Sequence, residues 1–210
     1  MTSSPPPTGT NPASSELPPG ARRSHALESI GSYLHTLLEL QVLDFGGINQ
    51  QNLDFVTALG HRIYGENLML AFDYFFSQQE VASGQFAPER IEQFLDQTFD
   101  FEDQSCDAAF IWDTLQFLPP QIAQGVLGRL HRVLAPDALL MAFFHPESSR
   151  SAAPHICRIL DARHLQLTPR AHLRPIVPFN TRSIERFFQQ FQSVKFFLTR
   201  ENLQEVIARR

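Results

Sequence analysis

The 210-residue sequence has only two cysteines, Cys106 and Cys157, a single lysine, Lys195, and a single tryptophan, Trp112. Two thiols are too few for a disulfide framework or for a zinc site of clustered thiolates. They point to a reducing, cytoplasmic setting. No apolar run approaches the ~18 residues of a membrane span. The N-terminus has no apolar signal-peptide core, so no secretory leader is expected. Net charge is −5 with no basic block, so the electrostatic footprint of a nucleic-acid binder is missing and a small-molecule partner is favoured. The sequence lacks the phosphate-cradling Gly-x-x-x-x-Gly-Lys-Ser/Thr, the dinucleotide Gly-x-Gly-x-x-Gly and the Gly-x-Ser-x-Gly elbow of hydrolases. It has no His-Glu-x-x-His, and His25 and His35 lie too far apart on one helix to pair. No metal site is expected.

What is present is a globular composition, with 43% apolar residues and an unusual 19 phenylalanines. Residues 1–22, rich in Pro, Ser, Thr and Gly, cannot bury enough apolar surface to offset their ordering entropy and read as a disordered tail. From Ser24, a possible N-cap, Leu27, Ile30, Leu34, Leu37 and Leu38 recur at helical spacing. A buried strand, "QVLDF", follows, then a Gly46-Gly47 turn, a helix ended by Gly60, and the strand "RIYGE". "LMLAFDYFF" fits strand or helix, and "APERIEQFLDQTF" fits a helix started by Pro88. "CDAAFIWD" reads as a strand, "PPQIAQGVLGRLHRVLAP" as a helix, and "ALLMAFFH" as a strand buried on both faces. Beyond these, "HLQLTPR" alternates as an edge strand, "NTRSIERFFQQF" is a helix, and "SVKFFLT" and "EVIARR" are strands. Strands alternating with helices predict an α/β layered sheet.

Four segments in order carry a resemblance: "VLDFGG", "RIYGE", "FDFEDQSCDAAFIWDTLQFLPP" and "LHRVLAPDALLMAFFH". The second pair is similar to the family patterns "LPFPDGSFDxVxxxxVLEHL" and "LxRLLKPGGxLLLxxH". Together they resemble the class I S-adenosylmethionine-dependent methyltransferases over about residues 25–145. The resemblance implies a doubly wound, mostly parallel seven-stranded sheet with an antiparallel last strand. The domain would span residues 23–210, with a substrate-side insertion at 146–180. It also implies S-adenosylmethionine as cofactor, lying across the carboxyl ends of the central strands at the topological switch point.

By that resemblance Asp44, Gly46 and Gly47 form the first cofactor turn, where glycine lets backbone approach the ligand. Glu66, 22 residues after Asp44, would accept the ribose hydroxyls; Asp73 is a rival acid. Asp96 or Asp100 would bind the adenine amino group, with Leu95, Phe99 or Leu68 around the ring. Trp112 would face the methyl donor, and Asp113 and His145 are candidate bases. Each residue also has a plainer reading: Asp44 as a cap, Trp112 as core, His145 as a satisfied structural histidine.

The glycine framework departs from the family. Aligned on Asp44, Ile48 and Gln50 stand where the family has its second and third glycines, and "APDA" replaces "KPGG". A β-branched Ile48 resists positive φ. Asn49 and Asn52 either cap the next helix or bind the cofactor's amino-acid part in place of backbone. The leading expectation is methyl transfer to a small molecule. The alternative is a catalytically inactive relative used for binding or scaffolding.

Overall fold

The structure, a computed structural model, describes residues 17–199 and 203–210. Its strands in chain order are β1 (Ala21–Arg23), β2 (Gln41–Asp44), β3 (Arg62–Gly65), β4 (Cys106–Trp112), β5 (Leu134–Phe144), β6 (Ser151–Ala152), β7 (His155–Ile159), β8 (His164–Pro169), β9 (Arg174–Pro175), β10 (Ser193–Leu198) and β11 (Gln204–Arg209). The helices are α1 (His25–Thr36), α2 (Gln50–Ala58), α3 (Leu68–Phe75), α4 (Gln78–Ser83), α5 (Pro88–Thr98), α6 (Pro120–Val133) and α7 (Thr181–Phe187), with a 3-10 turn at Thr114–Phe117.

The main sheet runs in the order β10-β11-β5-β4-β2-β3. Strands β3, β2, β4 and β5 are parallel, and β11 and β10 are antiparallel. The chain leaves β2 toward β3 on one side and returns through β4 and β5 on the other, so the topological switch lies between β2 and β4. The sheet has six strands, not the seven expected. Among the described residues no strand intervenes between β3 and β4. "LMLAFDYF" is helical because Leu68 and Phe72, four residues apart, both bury on one face, with Asn67 capping the start.

Strand β5 shows why the sheet is buried on both faces. Leu140, Ala142 and Phe144 enter the core cluster beneath α3, α5, α6 and α7. Leu139, Met141 and Phe143 enter the opposite cluster beneath α1 and α2. Each buried Phe contributes about 1.5–3 kcal/mol relative to exposure. Near the start of β5, where "DA" replaces a glycine pair, Asp137 takes φ 67, a left-handed conformation that aspartate tolerates better than most residues.

Two features fall outside the expected plan. Ala21 and Arg22, placed by the sequence in the tail, pair with β8 together with Arg23, so order begins before residue 23. Residues 1–16, the rest of that expected tail, lie outside the described residues. Behind this strand Glu205 is fully buried and accepts from Arg22 at 2.8 Å, Ser24 Oγ at 2.9 Å and the Ala26 N–H at 2.9 Å, anchoring the start of α1 to β11.

The 146–180 insertion contains an antiparallel hairpin, β7–β8, that with β1 makes a three-stranded sheet. Among the described residues no helix is long and apolar enough to cross a membrane.

Candidate functional site

The site is built at the carboxyl ends of β2, β3 and β4. Asp44 ends β2 almost fully buried, at 2% exposure. Its Oδ1 accepts from Trp112 Nε1 at 2.6 Å and the Gly46 N–H at 3.0 Å, and its Oδ2 accepts from Asn52 Nδ2 at 2.7 Å. Burial pushes its pKa up, against the lowering effect of those three donors. Asp44 thus organises the turn and is saturated by the chain's own donors.

Trp112 adopts φ 53, an outlier for a bulky residue that costs on the order of 1–3 kcal/mol. That turn sends its indole back over Gly46. A β-carbon on Gly46 would lie 2.6 Å from the indole, so residue 46 must be glycine. Trp112 is 1% exposed and stacked on Phe110; its place is in the core, and it does not face a ligand.

The glycine missing at position 48 has a counterpart elsewhere. Ile48 is 80% exposed and crosses the end of β3, where a β-carbon on Gly65 would lie 2.6 Å from its Cγ1. Its side chain therefore rests on Gly65 and forms part of the wall of an open cleft beside Gly46 and Gly47. That cleft measures about 630 Å³, and Asn49, Glu66, Arg158 and Arg170 share its lining. Gly47, at φ 92, donates its N–H to the Glu66 carbonyl at 3.1 Å, holding the two turns side by side.

Glu66 is exposed, with Oε1 engaged by the Asn67 N–H at 2.9 Å. It also lines a second cleft, of about 290 Å³, together with Tyr74, Phe75, Phe94, Gln97 and Thr98. Glu66 therefore stands at the junction of two clefts. The rival acid Asp73 is engaged instead by Arg174, through two contacts of 2.7 Å.

The adenine-side expectations need correction. Asp96 points away from both clefts and pairs with Arg129, which also binds Glu92. Asp100 is exposed and lines neither cleft. Leu68, Leu95 and Phe99 are core residues at 2% exposure or less. The helical phase of α5 explains this: Phe94, Leu95 and Thr98 face inward and Asp96 faces out.

Strand β7 lies over the switch point. Asn52 Oδ1 accepts the Ile159 N–H at 2.8 Å, and the side-chain amides of Asn49 and Asn52 each donate to the Cys157 carbonyl at 3.2 Å. Asn49 also caps α2 by accepting the Asn52 N–H. Successive side chains of a strand face opposite ways. Ile156 and Arg158 accordingly line the cleft, while His155 and Cys157 turn inward over the sheet edge.

There His155 Nδ1 lies 2.7 Å and His145 Nε2 3.2 Å from Asp113 Oδ2. Burial raises the Asp113 pKa, but the hydrogen bonds and charges of His145 and His155 outweigh it and hold the carboxyl below the usual range. Burial, reinforced by Asp113 and Asp44, pushes the Cys157 thiol well up. The sequence expectation named Asp113 and His145 as candidate bases at the cofactor cleft; the structure brings them together, but β7 separates them from the cleft of Glu66. His155, Arg158, Arg170, Gln97 and Thr98 were not foreseen; only the phase of α5 signalled Gln97 and Thr98.

No protein-family model matches the sequence, and no curated protein matches it significantly. Solved structures do resemble it. A Pyrococcus horikoshii protein matches at 11% identity, covering 88% of each chain, with a TM-score of 0.53. A SAM-dependent methyltransferase from Archaeoglobus fulgidus matches at 11% identity over 88% of this chain and 94% of its own, with a TM-score of 0.50. A Mesorhizobium loti S-adenosylmethionine-dependent methyltransferase matches at 12% identity over 88% of this chain and 100% of its own, also at 0.50. With its parallel core, antiparallel final strands and switch point between β2 and β4, the chain has the fold of the class I S-adenosylmethionine-dependent methyltransferases.

Proposed function

We propose that the chain binds S-adenosylmethionine along the paired clefts that meet at Glu66 and transfers its methyl group to a small molecule. The observation that carries this reading is the position of Glu66, an exposed carboxylate at the end of β3 where the two clefts join.

The residues fit the group in three places. Glu66 has an oxygen, Oε2, that accepts no hydrogen bond among the described residues, which suits ribose hydroxyls. The smaller cleft has aromatic walls, Phe75 and Phe94, with Gln97 and Thr98 as polar neighbours, which suits an adenine ring. The larger cleft offers Arg158 and Arg170 beside Gly46 and Gly47, which suits a carboxylate. When bound, S-adenosylmethionine supplies an electrophilic methyl group for in-line attack. The chain's own contribution is to position the reactants and exclude water.

Asp113 and His145, assigned from sequence as bases, lie behind β7 and do not reach this cleft. The net charge of −5 and the absence of a basic block favour a small acceptor over nucleic acid. The free, buried thiols of Cys106 and Cys157 suit a reducing, cytoplasmic setting.

Equilibrium binding tests the reading. S-adenosylmethionine and S-adenosylhomocysteine should both bind the wild-type chain. Glu66→Ala should weaken them about 10- to 100-fold, the value of one hydrogen bond to a charged group.

One observation favours a second reading, a non-catalytic relative: β7 seals Asp44 and Asp113, each 2% exposed, beneath the chain's own residues at the switch point. That reading predicts no heat from either nucleotide at millimolar concentration with the protein folded.

A further inference from the structure

Behind β7, three side chains of metal-ligating type converge above the carboxyl edges of β4 and β5. Asp113 follows β4, His145 follows β5, and His155 opens β7. Their donor atoms lie within 4.8 Å of one another. His145 Nε2 and His155 Nδ1 approach the same oxygen, Asp113 Oδ2, at 3.2 and 2.7 Å. The His155 backbone N–H reaches that oxygen too, at 3.1 Å. A carboxylate spreads about four lone-pair sites over two oxygens. Among the described residues all three donors crowd onto Oδ2, and Oδ1 accepts none. Hydrogen bonding alone would gain by sharing the two oxygens. His145 Nε2, His155 Nδ1 and Asp113 Oδ2 cluster closely enough for one ion to take the place of the hydrogens between them.

We propose that Asp113, His145 and His155 bind one divalent first-row transition ion of the Zn2+ type, through two imidazole nitrogens and one carboxylate oxygen. Imidazole with a single carboxylate suits zinc, iron, cobalt or nickel and not calcium or magnesium, which demand oxygen shells. Tetrahedral ligands bonded at about 2.0–2.1 Å stand roughly 3.3 Å apart. The observed 2.7 and 3.2 Å fall about 0.6 and 0.1 Å short of that spacing, and the two imidazole nitrogens lie within 4.8 Å of each other. On binding, each imidazole turns an unprotonated nitrogen to the ion. The hydrogens now directed at Asp113 move to the far ring nitrogens or leave to solvent.

The surroundings hold the ligands in place. The left-handed turn at Trp112 directs Asp113 inward. Gln116, fully buried, accepts the His145 backbone N–H at 2.5 Å and donates to the Val177 carbonyl at 3.0 Å. The two imidazoles stack with centroids 5.4 Å apart at 15°. His145 also lines a cleft of about 940 Å³ with Glu147, Arg150 and Asn180, which gives an ion a way in and a fourth ligand position open to water. An ion here would fasten β7, and with it the wall of the Glu66 cleft, to the sheet.

The test uses untagged full-length protein, stripped with a chelator and titrated with ZnCl2 by calorimetry and with CoCl2 by visible absorption. The expected result is one ion per chain and a rise in melting temperature. The cobalt spectrum should show nitrogen and oxygen ligands without a thiolate-to-metal band. His155→Ala and His145→Gln should each weaken binding about 10-fold or more. His145→Gln leaves the His155–Asp113 contact in place, so it decides the matter if His155→Ala loosens the hairpin. No uptake by the wild-type chain, undiminished uptake in His145→Gln, or a thiolate band would each overturn the proposal.

Discussion

Replacing Asn52 with leucine would unfasten β7 from the switch point while keeping the side chain's branching and number of heavy atoms. Asn52 is 1% exposed and satisfies groups on two elements. Its Nδ2 donates to Asp44 Oδ2 at 2.7 Å and to the Cys157 carbonyl at 3.2 Å; its Oδ1 accepts the Ile159 N–H at 2.8 Å. The contact with a charged carboxylate is worth about 1.5–3 kcal/mol and each neutral one about 0.5–1.5 kcal/mol. Asn49 still reaches the Cys157 carbonyl, so that contact is partly replaced. The expected loss is about 3–5 kcal/mol, a large share of the ~5–15 kcal/mol that holds a domain folded. Urea denaturation followed by Trp112 emission measures it, since Trp112 is the only tryptophan and donates to Asp44. Amide exchange adds a local readout: Ile159 should lose protection first, because its acceptor is gone. A loss under about 1 kcal/mol, with Ile159 still protected, would refute the idea that Asn52 is the fastening.

Gly46→Ala should destabilise by about 1–3 kcal/mol and redden Trp112 emission, because the new β-carbon would lie 2.6 Å from the indole. By contrast Gly128→Ala, inside α6 with nothing within 4 Å of its β-carbon, should stabilise by about 1 kcal/mol in a thermal melt. Glu205→Ala removes the acceptor shared by Arg22, Ser24 Oγ and the Ala26 N–H; a cost of about 3–5 kcal/mol is expected by urea denaturation, from the loss of three hydrogen bonds to a charged group. Cys157, its pKa raised by burial, Asp113 and Asp44, should resist alkylation in the folded state near neutral pH and react once unfolded. Because its folded pKa is the higher one, its contribution to stability is complete below the ordinary thiol value of about 8.5 and fades as pH rises above it. Cys157→Ala should flatten that alkaline limb.

The sheet interior was legible because residues 108–112 of β4 and 138–144 of β5 are continuous apolar runs buried on both faces, and α6 carries a clear helical stripe between prolines. The strand count was not, since "LMLAFDYF" satisfies either period and only packing of Leu68 and Phe72 selects the helix. At the site, the family resemblance pointed to Asp44, Gly46, Gly47, Asn49 and Glu66; Gly46, Gly47, Asn49 and Glu66 line one cleft, and Asp44 is buried behind the turn. Acidic character alone does not place Asp96: the helical phase of α5 turns it outward to Arg129 and brings Gln97 and Thr98 to the cleft. Substitutions in the glycine framework were read singly, while the structure resolves them in context: Ile48 rests on Gly65, and Asp137 itself takes the left-handed turn. His155 had no signal at all. It reaches Asp113 across 42 residues of sequence through a hairpin whose first strand, "HICRI", has no regular pattern.

The account rests on Glu66 holding a ribose where the two clefts meet. A crystal structure of the chain with S-adenosylhomocysteine tests that directly. The prediction is ribose hydroxyls within hydrogen-bond distance of the Glu66 carboxylate, adenine against Phe75 with Gln97 and Thr98 beside it, and the carboxylate near Arg158 or Arg170. Well-ordered Glu66 with no ligand beside it at saturating concentration, or a ligand bound elsewhere, would contradict it.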